Sequence, residues 1–194
     1  MVLLAAVALG LAVGLGLARL RGQPYQPPDL RHLWLVFIAF LPQFAILYVP
    51  GLRQQISDDW AGVLLTTSQF LLIGFAWLNR KSPGMAVLLA GAALNFLVMT
   101  ANSGFMPISP QTASRLVPQE ILQEIPTGSR FGVKDILLEP ENTHFEVLAD
   151  RFLPPAWSSY QAAFSLGDVF LAVGVFWLLA QPQQNKTEPK RILT

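Results

Sequence analysis

WAGVLLTTSQFLLIGFAWLNRK, residues 60–81, decides the fold. No charge interrupts it from Gly62 to Leu78, and Asn79, Arg80 and Lys81 close it. That is the length a helix needs to cross a hydrocarbon core, roughly 17–25 residues. Similar runs lie on either side. Met1 to Leu17 ends at Arg19 and Arg21, and Leu33 to Tyr48 is entered by Arg31-His32 and closed by Pro50-Gly51. Met85 to about Asn102 forms the fourth run and Ala162 to Ala180 the fifth. The pattern predicts an all-α polytopic membrane protein of about five transmembrane helices, with an external cap between helices four and five. The expected parts are a four-helix membrane segment over 1–102, the cap over 103–160, the fifth helix over 161–180 and a cytoplasmic tail over 181–194.

Composition agrees with that reading. Hydrophobic residues are 53% of the 194, charged residues only 13%, and mean hydropathy is +0.45; soluble domains carry about a quarter charged residues. A net charge of +1 with no basic patch offers nothing to nucleic-acid phosphates. The absence of cysteine excludes disulfides, thiolate metal sites and thiol nucleophiles.

Basic residues set the expected orientation. Arg19, Arg21 and Arg31 lie between runs one and two, Arg80 and Lys81 between three and four, and Lys186, Lys190 and Arg191 after five. All fall on one side if every run spans, and the positive-inside rule makes that side the cytoplasm. The amino terminus, the Arg53/Asp58/Asp59 loop and the long segment then lie outside. The long segment carries seven acidic residues against four basic ones. The first run lacks a basic leader region and a clear cleavage site, and reads as a retained helix. Within the long segment, Leu116 to Ile125 and Phe145 to Phe152 have helical apolar spacing. They are expected as short helices on the membrane surface or capping the bundle.

Polar residues within the runs are the candidate site. Gln43, Gln69, Asn95 and Asp168 share a depth, and Asn102 lies seven residues beyond Asn95 on the same helix face. They read either as interhelical hydrogen bonding, each pair contributing about 0.6–2 kcal/mol, or as a small polar pocket open to the outside. A carboxylate in hydrocarbon is costly unless neutralised or hydrogen-bonded, which makes Asp168 the focus. It also has a local explanation. Ser165-Leu166-Gly167-Asp168 is spaced as a capping box, in which the acid answers free N–H groups at a helix start. A helix starting at Ser158 or Ser159 would instead bury Asp168 nearly three turns deep.

Ala6, Gly10, Gly14 and Ala18 recur at four-residue spacing on the first run, a face on which backbones approach closely. It serves either internal packing or a docking contact for another subunit. Asn102-Ser103-Gly104-Phe105-Met106-Pro107 ends the fourth run, with Gly104 placed for a left-handed turn and Pro107 blocking resumption of the helix.

These last two motifs carry a resemblance. Asn102-Ser103-Gly104-x-Met106-Pro107, then several tens of residues, then Ser165-x-Gly167-Asp168, resembles an uncharacterised bacterial integral-membrane family, one of the domain-of-unknown-function families. That family's motifs are Asn-Gly-Gly-x-Met-Pro and Ser-Ile-Gly-Asp, and this chain departs from them at Ser103 and Leu166. The resemblance covers about half the chain. It implies a bacterial cytoplasmic (inner) membrane protein whose two motifs meet in space, and it supplies no activity and no cofactor.

Catalytic signatures are incomplete. His32 and His144 are expected on opposite sides of the bilayer. Glu141-x-x-His144-x-Glu146 lacks a completing ligand, so no metal site is expected. No Gly-x-Ser-x-Gly and no phosphate-cradling glycine loop occurs. Asn185-Lys186-Thr187 is a glycosylation sequon on the tail expected to be cytoplasmic. The first functional expectation is a non-enzymatic accessory or scaffold subunit of a membrane assembly. Its contacts to other subunits, pigment or lipid would use helix one's small-residue face or the aromatics Trp34, Phe37, Phe40, Phe44, Phe70, Phe75 and Trp77. The alternative is a small-molecule or lipid-binding membrane protein, possibly enzymatic, with an outward-facing polar pocket around Asn102 and Asp168.

Overall fold

The computed structural model describes residues 2–49, 51–155, 157–158 and 161–181. The tail sequon falls outside them, as do the side chains of Gln43 and Arg53. The chain is mostly helical. Its helices are α1 (Val2–Leu20), α2 (Trp34–Tyr48), α3 (Leu52–Gln55), α4 (Asp58–Leu78), α5 (Met85–Ala101), α6 (Pro110–Ala113), α7 (Gln119–Gln123) and α8 (Leu166–Ala180). The strands are β1 (Met106–Ile108), β2 (Arg130–Phe131) and β3 (Asp135–Leu137).

At 1.5 Å per residue, α1 and α4 reach about 28 and 31 Å; these two are long and apolar enough to cross a membrane. Helices α5 and α8 are apolar but shorter.

The five long helices form a row in the order α1, α8, α5, α4, α2, so the last of the five in sequence sits between the first and the fourth. Glycines set the closest spacings. A Cβ on Gly91 would lie 2.6 Å from Gly167 O, and one on Gly174 would lie 2.7 Å from Leu88 N and 2.9 Å from Gly84 O. Backbone therefore touches backbone along the antiparallel α5–α8 seam. On the other side of α8, Gly10 meets Phe176 and Gly14 meets Leu179, so α1 and α8 run parallel. All four small residues of the α1 stripe are buried. The stripe is consumed by packing on α8.

The segment between α5 and α8 folds over one end of this row and corrects the all-helical expectation. Its centre is a three-stranded sheet ordered β1–β3–β2, with β1 parallel and β2 antiparallel to β3. Ile108, Ala113, Phe131 and Leu137 form its own small core. The apolar spacing of Leu116 to Ile125 yields only α7, entered after Pro118. Phe145 to Phe152 yields one 3-10 turn at Glu146–Leu148, because Phe145 adopts φ +56° and turns the chain out of a helical path. Strand β1 enters the bundle: Phe105 and Met106 pack with Ala61, Leu65, Val98 and Met99. Helix α8 starts at Leu166, later than the apolar run suggests. Phe164 bridges to Phe152 in extended conformation, and that pairing holds the preceding residues out of the helix. Of the aromatics expected to face outward, Phe75 is instead buried in a core with Ala76, Met85, Leu88 and Leu178.

Gly91→Ala should destabilise by about 1–3 kcal/mol, because the added methyl would press on the backbone at Gly167 O (2.6 Å) and Leu171 N (2.7 Å). Gly74→Ala, where a Cβ meets nothing within 4 Å, should be neutral or stabilising by about 0.5–1 kcal/mol. Thermal unfolding of the purified protein in one detergent compares the two.

Candidate functional site: a cavity beneath the cap

Two asparagines anchor the loops to the bundle. Asn102, at the C-terminal end of α5, donates from Nδ2 to Val98 O (2.7 Å) and His144 O (2.9 Å). It accepts from His144 N at 3.1 Å. Its amide thus stands in for a strand partner and holds the cap against the helix end. Asn79 repeats the arrangement at the opposite end of the bundle. It donates to Phe75 O and Arg31 O and accepts from Arg31 N at 2.7 Å. Beyond Asn102 the chain reverses through Ser103 (φ +57°) and Gly104 (φ +86°). A Cβ on Gly104 would strike Gly62 Cα at 2.4 Å. Glycine at 104 is therefore required twice, by conformation and by contact. Asn102 is fully engaged in this anchor and does not line the cavity below, which corrects its expected place in the pocket.

Asp168 is the acid of a complete capping box. Ser165 Oγ accepts from Asp168 N and Ser165 N donates to Asp168 Oδ2, both at 3.1 Å. The box is extended across the helix seam. Asn95 Nδ2 donates to Asp168 Oδ1 and Ser165 Oγ donates to Asn95 Oδ1, both at 2.9 Å. A Cβ on Gly167 would lie 2.0 Å from Asn95 Oδ1, so the glycine gives the asparagine its place. The deep-burial alternative, with a helix from Ser158, does not occur.

A cavity of about 490 Å³ opens between the bundle and the cap. All five long helices line it: Val2, Leu3 and Ala5 of α1, Phe40 of α2, Gln69 and Leu72 of α4, Asn95 and Met99 of α5, and Asp168 and Leu171 of α8. The cap contributes Met106, Lys134 and Phe164 among others. Ligand sites are commonly of this kind, roughly 300–1,000 Å³, mostly apolar with few polar groups. Gln69, Asn95 and Asp168 are thus brought together. Gln69 is 9% exposed, and its Oε1 has no hydrogen-bond donor among the described residues.

The polar wall from the cap is what the sequence reading misses. Lys134 Nζ donates to Asp135 Oδ1 (2.8 Å) and Asp150 Oδ2 (2.5 Å), and Asp150 is 1% exposed. Among the described residues, Asp150 Oδ1 is likewise a buried oxygen without a donor. Burial opposes the charge on Lys134, but Asp135, Asp150 and Asp168 outweigh it and hold the ammonium above the ordinary lysine range. Burial raises both cap carboxyls; for Asp150, pushed up to about 7, Lys134 opposes the rise while Asp135 and Asp168 add to it. Asp168 therefore does have a cation near it, supplied by the cap. The adjacency Lys134-Asp135 before the apolar Ile136-Leu137-Leu138 was the available signal. Asp150 joins the pair because its backbone N–H bonds Pro107 O of β1. Glu141, His144 and Glu146 do not converge: among the described residues no three His, Asp or Glu side chains are placed to hold a metal ion.

Fold and site together define a class: a helical bundle closed at one end by a small mixed-sheet cap, with a cavity beneath it. The chain belongs to a family of unknown function, DUF5317, whose model matches residues 28–180, a range that includes both motif segments. It is also similar to an uncharacterized protein of Thermotoga maritima. The two are 27% identical over 133 residues, which cover 69% of this chain and 72% of that one. No solved structure matches.

Asn102→Ala should free the cap, removing the buried side-chain donor of Val98 O at about 1–3 kcal/mol and the anchor of the His144 backbone. Limited proteolysis should then cut between residues 139 and 149 faster than in the wild type.

Asp150 binds its proton more tightly folded than unfolded. Its contribution to stability is full below about pH 4 and fades as pH rises through about 7. The thermal midpoint should fall between about pH 4.5 and 7.5 and level off above that, and Asp150→Asn should flatten the decline. An unchanged slope in the variant would remove Asp150 as its source.

Proposed function

We propose that this chain is a five-span protein of the bacterial cytoplasmic membrane, amino terminus outside and carboxyl terminus inside. In this reading it binds a small apolar or amphipathic molecule beneath its external cap. The observation that carries the reading is the cavity itself, a mostly apolar chamber with the Gln69 amide and a hydrogen-bonded carboxylate, Asp168, in its wall.

Three features support the membrane part. The outward faces of the long helices carry large apolar side chains, among them Leu4, Leu9, Phe37, Leu41, Phe70 and Val173; water would not tolerate such a surface, and lipid requires it. Helix directions alternate as five spans demand, with α1 and α8 parallel and α5 opposed to α8. Exposed tryptophans mark both ends: Trp34, Trp77 and Trp177 at one, Trp60 and Trp157 at the other, as at membrane interfaces. Helices α5 and α8 are short for a span of about 30 Å. Extended residues 161–165 ahead of α8 and β1 after α5 make up the difference, seating the cap partly within the outer leaflet.

The small-residue stripe on α1 no longer favours a docking role, because α8 covers it. The binding reading is therefore preferred to the accessory subunit. Gentle-detergent purification from the native membrane, with mass spectrometry of all that travels along, tests it. A lone protein carrying a lipid or small solute, lost in Ala162→Trp, is the expected result. Stoichiometric partner subunits with nothing in the cavity would sink the proposal.

A further inference from the structure

We propose that the cavity opens sideways into the membrane, between α1 and α2, and that its ligand is a lipid drawn from the outer leaflet. This rests on the binding reading above and deepens it, naming the class of ligand and its way in.

The packing order leaves one flank of the cavity without a helix seam. Helices α8, α5 and α4 each pack between two long neighbours. By contrast α1 packs on α8 and α2 on α4, and the packing does not continue from α2 to α1. Yet both of these end helices line the same cavity, α1 through Val2, Leu3 and Ala5 and α2 through Phe40. Burial locates the opening between them. Among the described residues, the exposed part of the lining is Leu3, Ala5 and Phe40, with Leu3 37% and Phe40 42% exposed. The rest of the wall is buried or half-buried, including Lys134, Pro154 and Phe164 of the cap. The cap therefore roofs the cavity on the side of water, and the gap lies in its flank.

The chemistry of the gap suits lipid. Its rim is apolar and continues onto the exposed apolar faces of both helices, through Leu4 on α1 and Phe37 and Leu41 on α2. A water-borne solute would have to cross that surface, whereas a lipid already lies against it. Depth agrees. Leu3 and Ala5 belong to the first turn of α1, at its outer end, and Phe40 is near the middle of α2. In the orientation proposed, the gap opens from the outer leaflet toward the bilayer centre. Gln69, Asn95 and Asp168 stand on the three helices away from the gap. A lipid entering by its head places the head against them and leaves its chain along Leu3 and Phe40. The lining carries one acid, Asp168, and one base, Lys134, so it does not choose the sign of the head group. The route selects the ligand.

The test uses the full chain in nanodiscs of phosphatidylethanolamine and phosphatidylglycerol. A phosphatidylglycerol with a diazirine in one acyl chain is delivered from donor vesicles and photolysed, and mass spectrometry finds the labelled residues. The expected result is labelling of Leu72, Met99 or Leu171 inside the cavity. The outward-facing Phe70 and Val173, which any surrounding lipid reaches, serve as the reference. The chain has no cysteine, so Leu3→Cys with Phe40→Cys supplies two thiols that a bis-thiosulfonate bridges across the gap before the lipid is added. Bridging should abolish inner labelling, leave Phe70 and Val173 labelled, and be undone by reductant. Ala5→Trp, at an exposed position on the rim, should also reduce inner labelling, and it decides the point if the bridged pair fails to fold. Inner labelling that survives these obstructions would overturn the side entrance while leaving a binding cavity. Inner labelling by a diazirine-bearing decanol but not by the lipid would overturn the lipid as ligand. Labelling by neither would overturn both readings.

Discussion

The close approach of α5 and α8 is the constraint on which the rest depends. Gly84 and Gly91 on one side meet Gly167 and Gly174 on the other, each pair seven residues apart, two helical turns. The spacing matters because the next polar residues along the seam, Asn95 and Asp168, are thereby brought to hydrogen-bond distance. A wider seam would leave Asn95 short of Asp168 and the capping box closed only on itself. The cavity wall is the continuation of the same contact past the last glycine, where side chains become large enough to hold the helices apart.

Loops are held by a second, repeated device. Asn79 and Asn102 each end a helix, bond the carbonyl four residues back and pair with both backbone groups of a distant residue. Asparagine suits this because its amide presents a donor and an acceptor at the spacing of a peptide group. One asparagine secures Arg31 and so places α2 on α4. The other secures His144 and so holds the cap over the cavity. The cap is also tied at its far side, where Arg130 bonds Asp58 and Ile56 O.

Much of the helical layer was legible because charge-free runs and their basic flanks report directly on solvent. The Ser165/Asp168 spacing reported a cap, and Gly104 a left-handed turn, since both depend on neighbours in sequence. The sheet was not legible: β1, β2 and β3 are two or three residues each, too short to show an alternating pattern. Gln69, Asn95 and Asp168 could be proposed together from depth alone. Lys134 and Asp150 could not, because what brings them to the cavity is a parallel pairing of β1 with β3 and a bridge from Asp150 to Ile108. Acids in a polar stretch look solvated until the backbone that buries them is known. Asn102 misled for the same reason, its partner being the backbone of residue 144, which carries no side-chain signature.

The order of helices in the row has a consequence for how the protein is made. Of the five long helices α8 is the last to leave the ribosome, yet it fills the place between α1 and α5. Until it arrives, the glycine face of α1 has no partner, and α5 lacks the wall that positions Asn95. Loop closure between α1 and α8 spans nearly the whole chain, the kind of distant contact that slows assembly. The bundle is thus completed in a single late event, and seam, capping box and cavity all come into being when one helix slots home.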